Sequence, residues 1–294
     1  METTDETPMI SHWIRSHRLT SFFLLAFGIS WGLNGFVILL GMEMSWIRWG
    51  LSGFLSAAGP AIAAVIVVHC SDQSLRTWAG GIVRWRVHPL WYAAAIGIPA
   101  AIALGSGIAA YLVGGPVDFA TFSPALVGVA IGIVLGTFVG GGQEEIGWRG
   151  FAQPEMQERY GGFGTAVAIG LIWGAWHLPL FFDPLAPHAQ WPLPSQVAYF
   201  VGIVGVSIVL AWIYNGTGGS ILLAMVAHGS KNALGGVLIP LDEDRVIVDG
   251  VVDYVALVPV NVSDAVLTWL IAVVVLAIVG RELSSERVSW TTET

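Results

Sequence analysis

The sequence predicts an all-α polytopic membrane protein of about eight transmembrane helices, and three observations predict it. Hydrophobic residues make up 55% of the 294-residue chain and charged ones only 11%, where an average soluble domain carries about 25% charged residues. Mean hydropathy is +0.74. Apolar stretches of about 20 residues, the length that crosses a hydrocarbon core, recur along the whole chain. This composition excludes an ordinary cytosolic enzyme and a disordered chain. With 12 Lys+Arg against 20 Asp+Glu and a net charge of -8, no basic footprint for nucleic acid is present. The lone cysteine, Cys70, excludes an intramolecular disulfide framework and a Cys-rich zinc site.

The apolar stretches fall near 20–41, 50–70, 89–113, 123–143, 162–182, 196–214, 219–240 and 262–280. The first follows a polar segment ending in Arg15 and Arg18. It is too long for a signal-peptide core and lacks a small-residue cleavage site, so it reads as an uncleaved span. The third and eighth have the softest edges. The fourth carries a glycine row, and the fifth closes around Pro179. The expected organisation is a cytoplasmic segment 1–18, one membrane domain 19–281 with its motif core at 123–240, and a cytoplasmic tail 282–294.

Orientation follows from loop Arg and Lys. With the N-terminus inside, the inside segments hold Arg15, Arg18, Arg76, Arg84, Arg86, Arg149, Arg159, Arg281 and Arg287, and the outside loops hold only Arg48 and Arg245. Lys231 falls within a span. Nine against two puts both termini on the cytoplasmic side of a cell membrane. The acidic loop at 241–253 then faces outward as a solvated surface. Eleven Arg against one Lys and a pI of about 5.2 suit a prokaryote with a salty interior, such as a halophilic archaeon. High-GC codon usage makes the same replacement.

Ionisable groups within a bilayer are costly and rare, so each is a functional candidate. Gly128, Gly132, Gly136 and Gly140 are spaced by four and lead to Glu144. Small residues at that spacing let helices approach closely, and the nearest of them aim Glu144 at a neighbouring helix. Glu145 and Arg149 have the spacing and order of an ion pair along a helix. Taken alone, the pair reads equally well as a helix-end salt bridge. Ser220, Ala224, His228, Asn232 and Gly236 form a second row of four, placing His228 and Asn232 side by side. His177 follows Gly170 and Gly174 and precedes Pro179 by two, and a proline there distorts the backbone. His12, His17, His69, His88 and His188 read as ordinary polar residues of loops and span ends. The 14 Trp carry no assigned chemistry.

Two carboxylates, two histidines and an asparagine suit hydrolysis. A carboxylate takes a proton from water, and His with Asn donates to an oxyanion. Glu144, His177 and His228 are alternatively a Zn²⁺ ligand set, although H-E-x-x-H is absent. A transporter or proton relay is the competing class, opposed by the lack of an inverted repeat. A non-catalytic scaffold is the third.

Three ordered motifs are present: Glu144-Glu145 with Arg149, Trp173 with His177, and His228 with Asn232. This set resembles the CAAX-protease and bacteriocin-processing (CPBP, or Abi) family of intramembrane endopeptidases, which includes the type II CAAX prenyl endopeptidases. Trp173 stands where the family more often has Phe, a mild departure. The resemblance covers roughly 140–235. It implies a peptide or protein substrate at the bilayer, lipidated or not. It also implies Glu144 as the base, His177 orienting the water, His228 and Asn232 holding the oxyanion, and Glu145 with Arg149 shaping the site. A metal-free mechanism fits the pattern, with no cofactor favoured and zinc the alternative. One tension accompanies these boundaries. Glu144 lies at the cytoplasmic end of its span, while His177 is about 15 residues, or about 22 Å, into the next. The two meet only if residues 144–160 continue into the membrane or the fifth span begins deeper.

Overall fold

The computed structural model describes residues 9–284. Residues 1–8 and 285–294, with Arg287 and most of the expected tail, lie outside the described residues. The eight apolar stretches each hold a helix: α1 Arg18–Leu39, α2 Gly59–Cys70, α3 Pro89–Leu112, α4 Leu126–Phe138, α5 Gln153–Trp176, α6 Leu193–Gly216, α7 Ile221–Val237 and α8 Val258–Val279. Five helical runs are long and apolar enough to cross a membrane, with 126–176 counted as one run. A sixth joins them if Trp46–Leu55 and α2, bent by 52°, form one span. The strands Ile247–Val248 and Val251–Val252 make a small antiparallel hairpin in the acidic loop, paired Ile247 to Val252 and Val248 to Val251.

Local chemistry sets several helix starts. Pro89 opens α3 with His88 Nδ1 accepting from the Leu90 amide at 3.3 Å, a proline placement that costs no hydrogen bond. Ser220 caps α7 by accepting from the Leu223 amide at 3.2 Å, satisfying an orphan donor of the first turn. Its hydroxyl also donates to the Arg84 carbonyl at 2.6 Å. That bond ties the start of α7 to the loop before α3.

α6 is the buried axis, with Ile208, Leu210 and Ile213 inside the core. Peripheral helices turn Leu24, Ile108, Ile131 and Leu270 outward, as surfaces facing lipid should. α4 and α7 meet backbone to backbone. A Cβ on Gly136 would strike the Gly229 carbonyl, and one on Gly229 would strike Gly136 and Thr137. Gly132 faces Ala233, whereas Gly128 meets only Ala125, the residue just before its own helix. The small-residue row therefore works over its last turns, nearest the glutamates.

The tension between Glu144 and His177 is settled by Gly161. Its φ of 66° and ψ of 176° break the long helix, a left-handed conformation that glycine adopts freely. The legs 145–160 and 162–176 fold back on each other, so Trp148 and Trp176 lie 6.0 Å apart edge to face. The Phe163 amide donates to the Arg281 carbonyl at 2.7 Å, docking this turn on the end of α8. Residues 144–160 thus continue as a second leg. The expected inside loop shrinks to the turn, and Arg149 leaves the loop count because it is wholly buried. α4 also stops at Phe138, short of the expected 143, and α5 ends at Trp176 before the 3-10 turn Leu178–Phe181. At the end of the bundle near this turn, Arg15 pairs with Asp72 at 3.1 Å and Arg84 donates to the Gly218 carbonyl at 2.7 Å. At the opposite end Arg48 pairs with Asp183, and Arg245 donates to the Gly114 and Gly115 carbonyls at 2.8 Å.

Candidate active site

Between α4 and the second leg, Gly140-Gly141-Gly142 turn the chain sharply. Gly141 has φ 113°, and a Cβ there would lie 2.6 Å from Asn232 Nδ2 and 2.9 Å from His228 Nε2. The two nitrogens therefore converge on the space beside Gly141, as the four-residue spacing predicts. Only a residue without a side chain leaves that space open. Gln143 Oε1 accepts from the Gly141 amide at 3.0 Å and holds the turn, which delivers Glu144 and Glu145 at the start of the leg.

Glu144 is 4% exposed, and its Oε2 accepts from the Trp173 indole N–H at 2.7 Å. Glu145 points elsewhere. Its Oε1 lies 2.8 Å from His228 Nδ1 and its Oε2 2.8 Å from Arg149 Nη1. A carboxylate only accepts, so Nδ1 carries the proton and donates. In the neutral ring Nε2 is then an acceptor, and in the doubly protonated ring it donates. Arg149 Nη2 donates to Ser207 Oγ at 2.8 Å, and Ser207 Oγ donates to the Ala166 carbonyl at 2.7 Å. A buried charge needs such partners, and here they reach back to α6 and α5.

Asn232 Nδ2 donates to the Gly140 carbonyl at 2.8 Å, leaving its second N–H for another acceptor. His177 Nδ1 donates to the Trp173 carbonyl at 2.9 Å, so its Nε2 presents a lone pair in the neutral ring. Trp173 is the hub. Its ring lies 5.0 Å from His228, 5.6 Å from His177 and 5.6 Å from the Arg149 guanidinium carbon. Phenylalanine could supply the packing but not the N–H on Glu144. The Trp at this position therefore adds a hydrogen bond to Glu144 that Phe would lack.

Glu144, His177, His228 and Asn232 line one cavity of about 560 Å³. Glu145 and Arg149 stand behind it. The structure thus brings all six expected residues together, four at the cavity and two as support. It also adds residues that sequence reasoning left aside. His188, read as an ordinary loop residue, lines the cavity wall within a ring cluster, 4.3 Å from Trp191 and 5.4 Å from both Tyr199 and Phe181. Burial pushes its imidazolium down to about 4, so the ring is neutral at pH 7. The clustering of His188 and Trp191 in one short Pro-rich loop was the available signal. Lys231 lines the cavity as well. Among the described residues, no three His, Cys, Asp or Glu side chains are placed to share a metal ion.

Residues 124–234 match the family described as type II CAAX prenyl endopeptidase Rce1-like. The chain is also 29% identical over 161 residues to a protein of Methanococcus maripaludis named CAAX prenyl protease 2. That match covers 53% of this chain and 56% of the relative, so the chain spans about half the length of the curated relative it matches. All three motifs lie inside the family-matched region.

Proposed function

Since residues 124–234 match the type II CAAX prenyl endopeptidase Rce1-like family, we propose that the chain is an intramembrane endopeptidase that hydrolyses a peptide bond of a membrane-associated, CAAX-like polypeptide, lipidated or not. The observation that carries this reading is the convergence of a buried carboxylate, Glu144, with the His228 and Asn232 nitrogens on one membrane cavity. Glu144, held by Trp173 through Oε2, takes the proton of a water as its oxygen attacks the scissile carbonyl carbon. His177 Nε2 accepts the water's second hydrogen and orients it. The oxyanion is held by the free N–H of Asn232 and by Nε2–H of His228 in its doubly protonated form. As the C–N bond breaks, Glu144 returns the proton to the leaving amine. Glu145 and Arg149 fix the His228 ring. Donors fixed in place before the charge develops are worth more than donors that must reorganise.

Purified protein in detergent, given a panel of lipidated and unlipidated peptides, should release cleaved product from at least one of them. This activity should survive exhaustive chelation, because the proposed steps draw on Glu144 as base and on Asn232 and His228 as oxyanion donors, with no step routed through a metal. Loss on chelation that Zn²⁺ alone restores would make His177 and His228 ligands.

The arginine distribution supports cytoplasmic termini even with Arg149 withdrawn from the count. Reporter fusions at 116–120 and 245–250 should therefore read outside, and fusions at 78–84 and the C-terminus inside. An inside signal from the 241–253 loop would overturn this orientation. Composition supports a salt-adapted prokaryotic host.

A further inference from the structure

Lys231 lies in the cavity beside the catalytic residues but belongs to none of the three motifs. It is the chain's single lysine and, on α7, follows His228 by three positions, a spacing that shares a helix face. Its Nζ donates to both carboxylate oxygens of Asp264 on α8, at 2.9 and 3.1 Å. Both residues line the cavity, and their side chains remain 20% and 27% exposed. The Glu145–Arg149 pair, by contrast, is fully enclosed. Among the described residues lining the cavity, Lys231 is the only Lys or Arg.

An ammonium placed within a bilayer is costly, and a purely structural pair is often replaced by apolar packing without loss. An ammonium carries three N–H donors. Asp264 takes two, and the third is available to an anion in the cavity. We propose that Lys231, with Asp264 as its resting counter-ion, is the subsite for the free C-terminal carboxylate of the peptide substrate. It makes the site prefer chain ends to internal segments. The inference rests on the peptidase reading. Three residues of helix rise about 4.5 Å. With the lysine side chain added, the carboxylate falls roughly two or three extended residues, at about 3.3 Å each, beyond the bond held at His228 and Asn232.

The test measures binding and cleavage separately. A dansylated, S-farnesylated Cys-Val-Ile-Met peptide is prepared with a free carboxylate or a carboxamide end. Each form is titrated by fluorescence anisotropy into the full-length Glu144→Gln protein, so that turnover does not interfere. The acid should bind about 10- to 100-fold more tightly than the amide, the range of a charge-assisted hydrogen bond. Adding Lys231→Met should bring the acid-to-amide ratio to about one, and Lys231→Arg should largely restore it. Asp264→Asn should raise the ratio, because a competing carboxylate is removed. A purely structural pair would instead weaken both peptides alike in Lys231→Met and Asp264→Asn. That result, an unchanged ratio, or no binding of either peptide overturns the subsite. Acid preference without any cleavage by the wild-type protein would keep the subsite and sink the hydrolase reading. Cleavage of both peptides with no preference would do the reverse.

Discussion

Glu144→Gln should abolish turnover, by about 10²–10⁴-fold for loss of general-base catalysis, while the protein stays folded. Glutamine keeps the size of the side chain, and its carbonyl oxygen still accepts from the Trp173 indole at the position of Glu144 Oε2. What disappears is the ability to take a proton from water. Replacing a buried carboxylate by a neutral amide also relieves a desolvation cost, so the melting temperature in detergent should hold or rise. Glu145→Gln is the matched control. An amide oxygen can still accept from His228 Nδ1, so the ring keeps its place and the loss of turnover should be smaller. Peptide turnover and detergent melting for both variants decide the matter. Near-wild-type turnover in Glu144→Gln with a folded, inactive Glu145→Gln would exchange the two roles. Full activity in both would end the hydrolase reading.

Arg149→Ala should be the most destabilising change at the site, by about 3–5 kcal/mol, the cost of stranding one member of a buried ion pair. Arg149 and Glu145 are both wholly inaccessible, so neither water nor salt can stand in for the missing guanidinium. The left-over carboxylate would then be held by His228 alone. The double variant Glu145→Gln with Arg149→Met removes both charges and keeps most of the volume. It should recover a large part of the lost stability without recovering wild-type activity. Urea or thermal unfolding in detergent of Glu145→Gln, Arg149→Met and the double variant gives the coupling directly. Additive effects would mean that the 2.8 Å contact contributes no net coupling.

The candidate site was readable in the sequence wherever spacing on one helix decided it. Glu145 and Arg149, four apart, do pair. His228 and Asn232, also four apart, do converge beside Gly141. The last glycines of the row do lie where two backbones touch. Contacts between helices were not readable. Nothing local in the sequence says that Glu145 receives His228, 83 residues away, or that Trp173 donates to Glu144 rather than merely packing. The short α4 and the break at Gly161 were missed for a related reason. Hydropathy reports which residues tolerate lipid, and both legs of a folded-back helix satisfy that condition.

By itself the sequence determined that this chain lives in a bilayer, where its helices run, and which few polar residues had to be accounted for. The energetic reason is simple: each buried carboxylate or imidazole in a 55% hydrophobic chain is too expensive to be incidental. The tertiary structure alone decided how those residues are arranged around one cavity. A glycine with positive φ at 161 turns one long helix into two legs, which lifts Glu144 to the level of Trp173. Packing then sets Glu145 on His228 and Arg149 and leaves Glu144 facing the cavity. It also brings His188, Trp191 and the Lys231–Asp264 pair onto the same walls. These are long-range contacts whose free energy depends on three-dimensional neighbours, and helical periodicity carries no record of them.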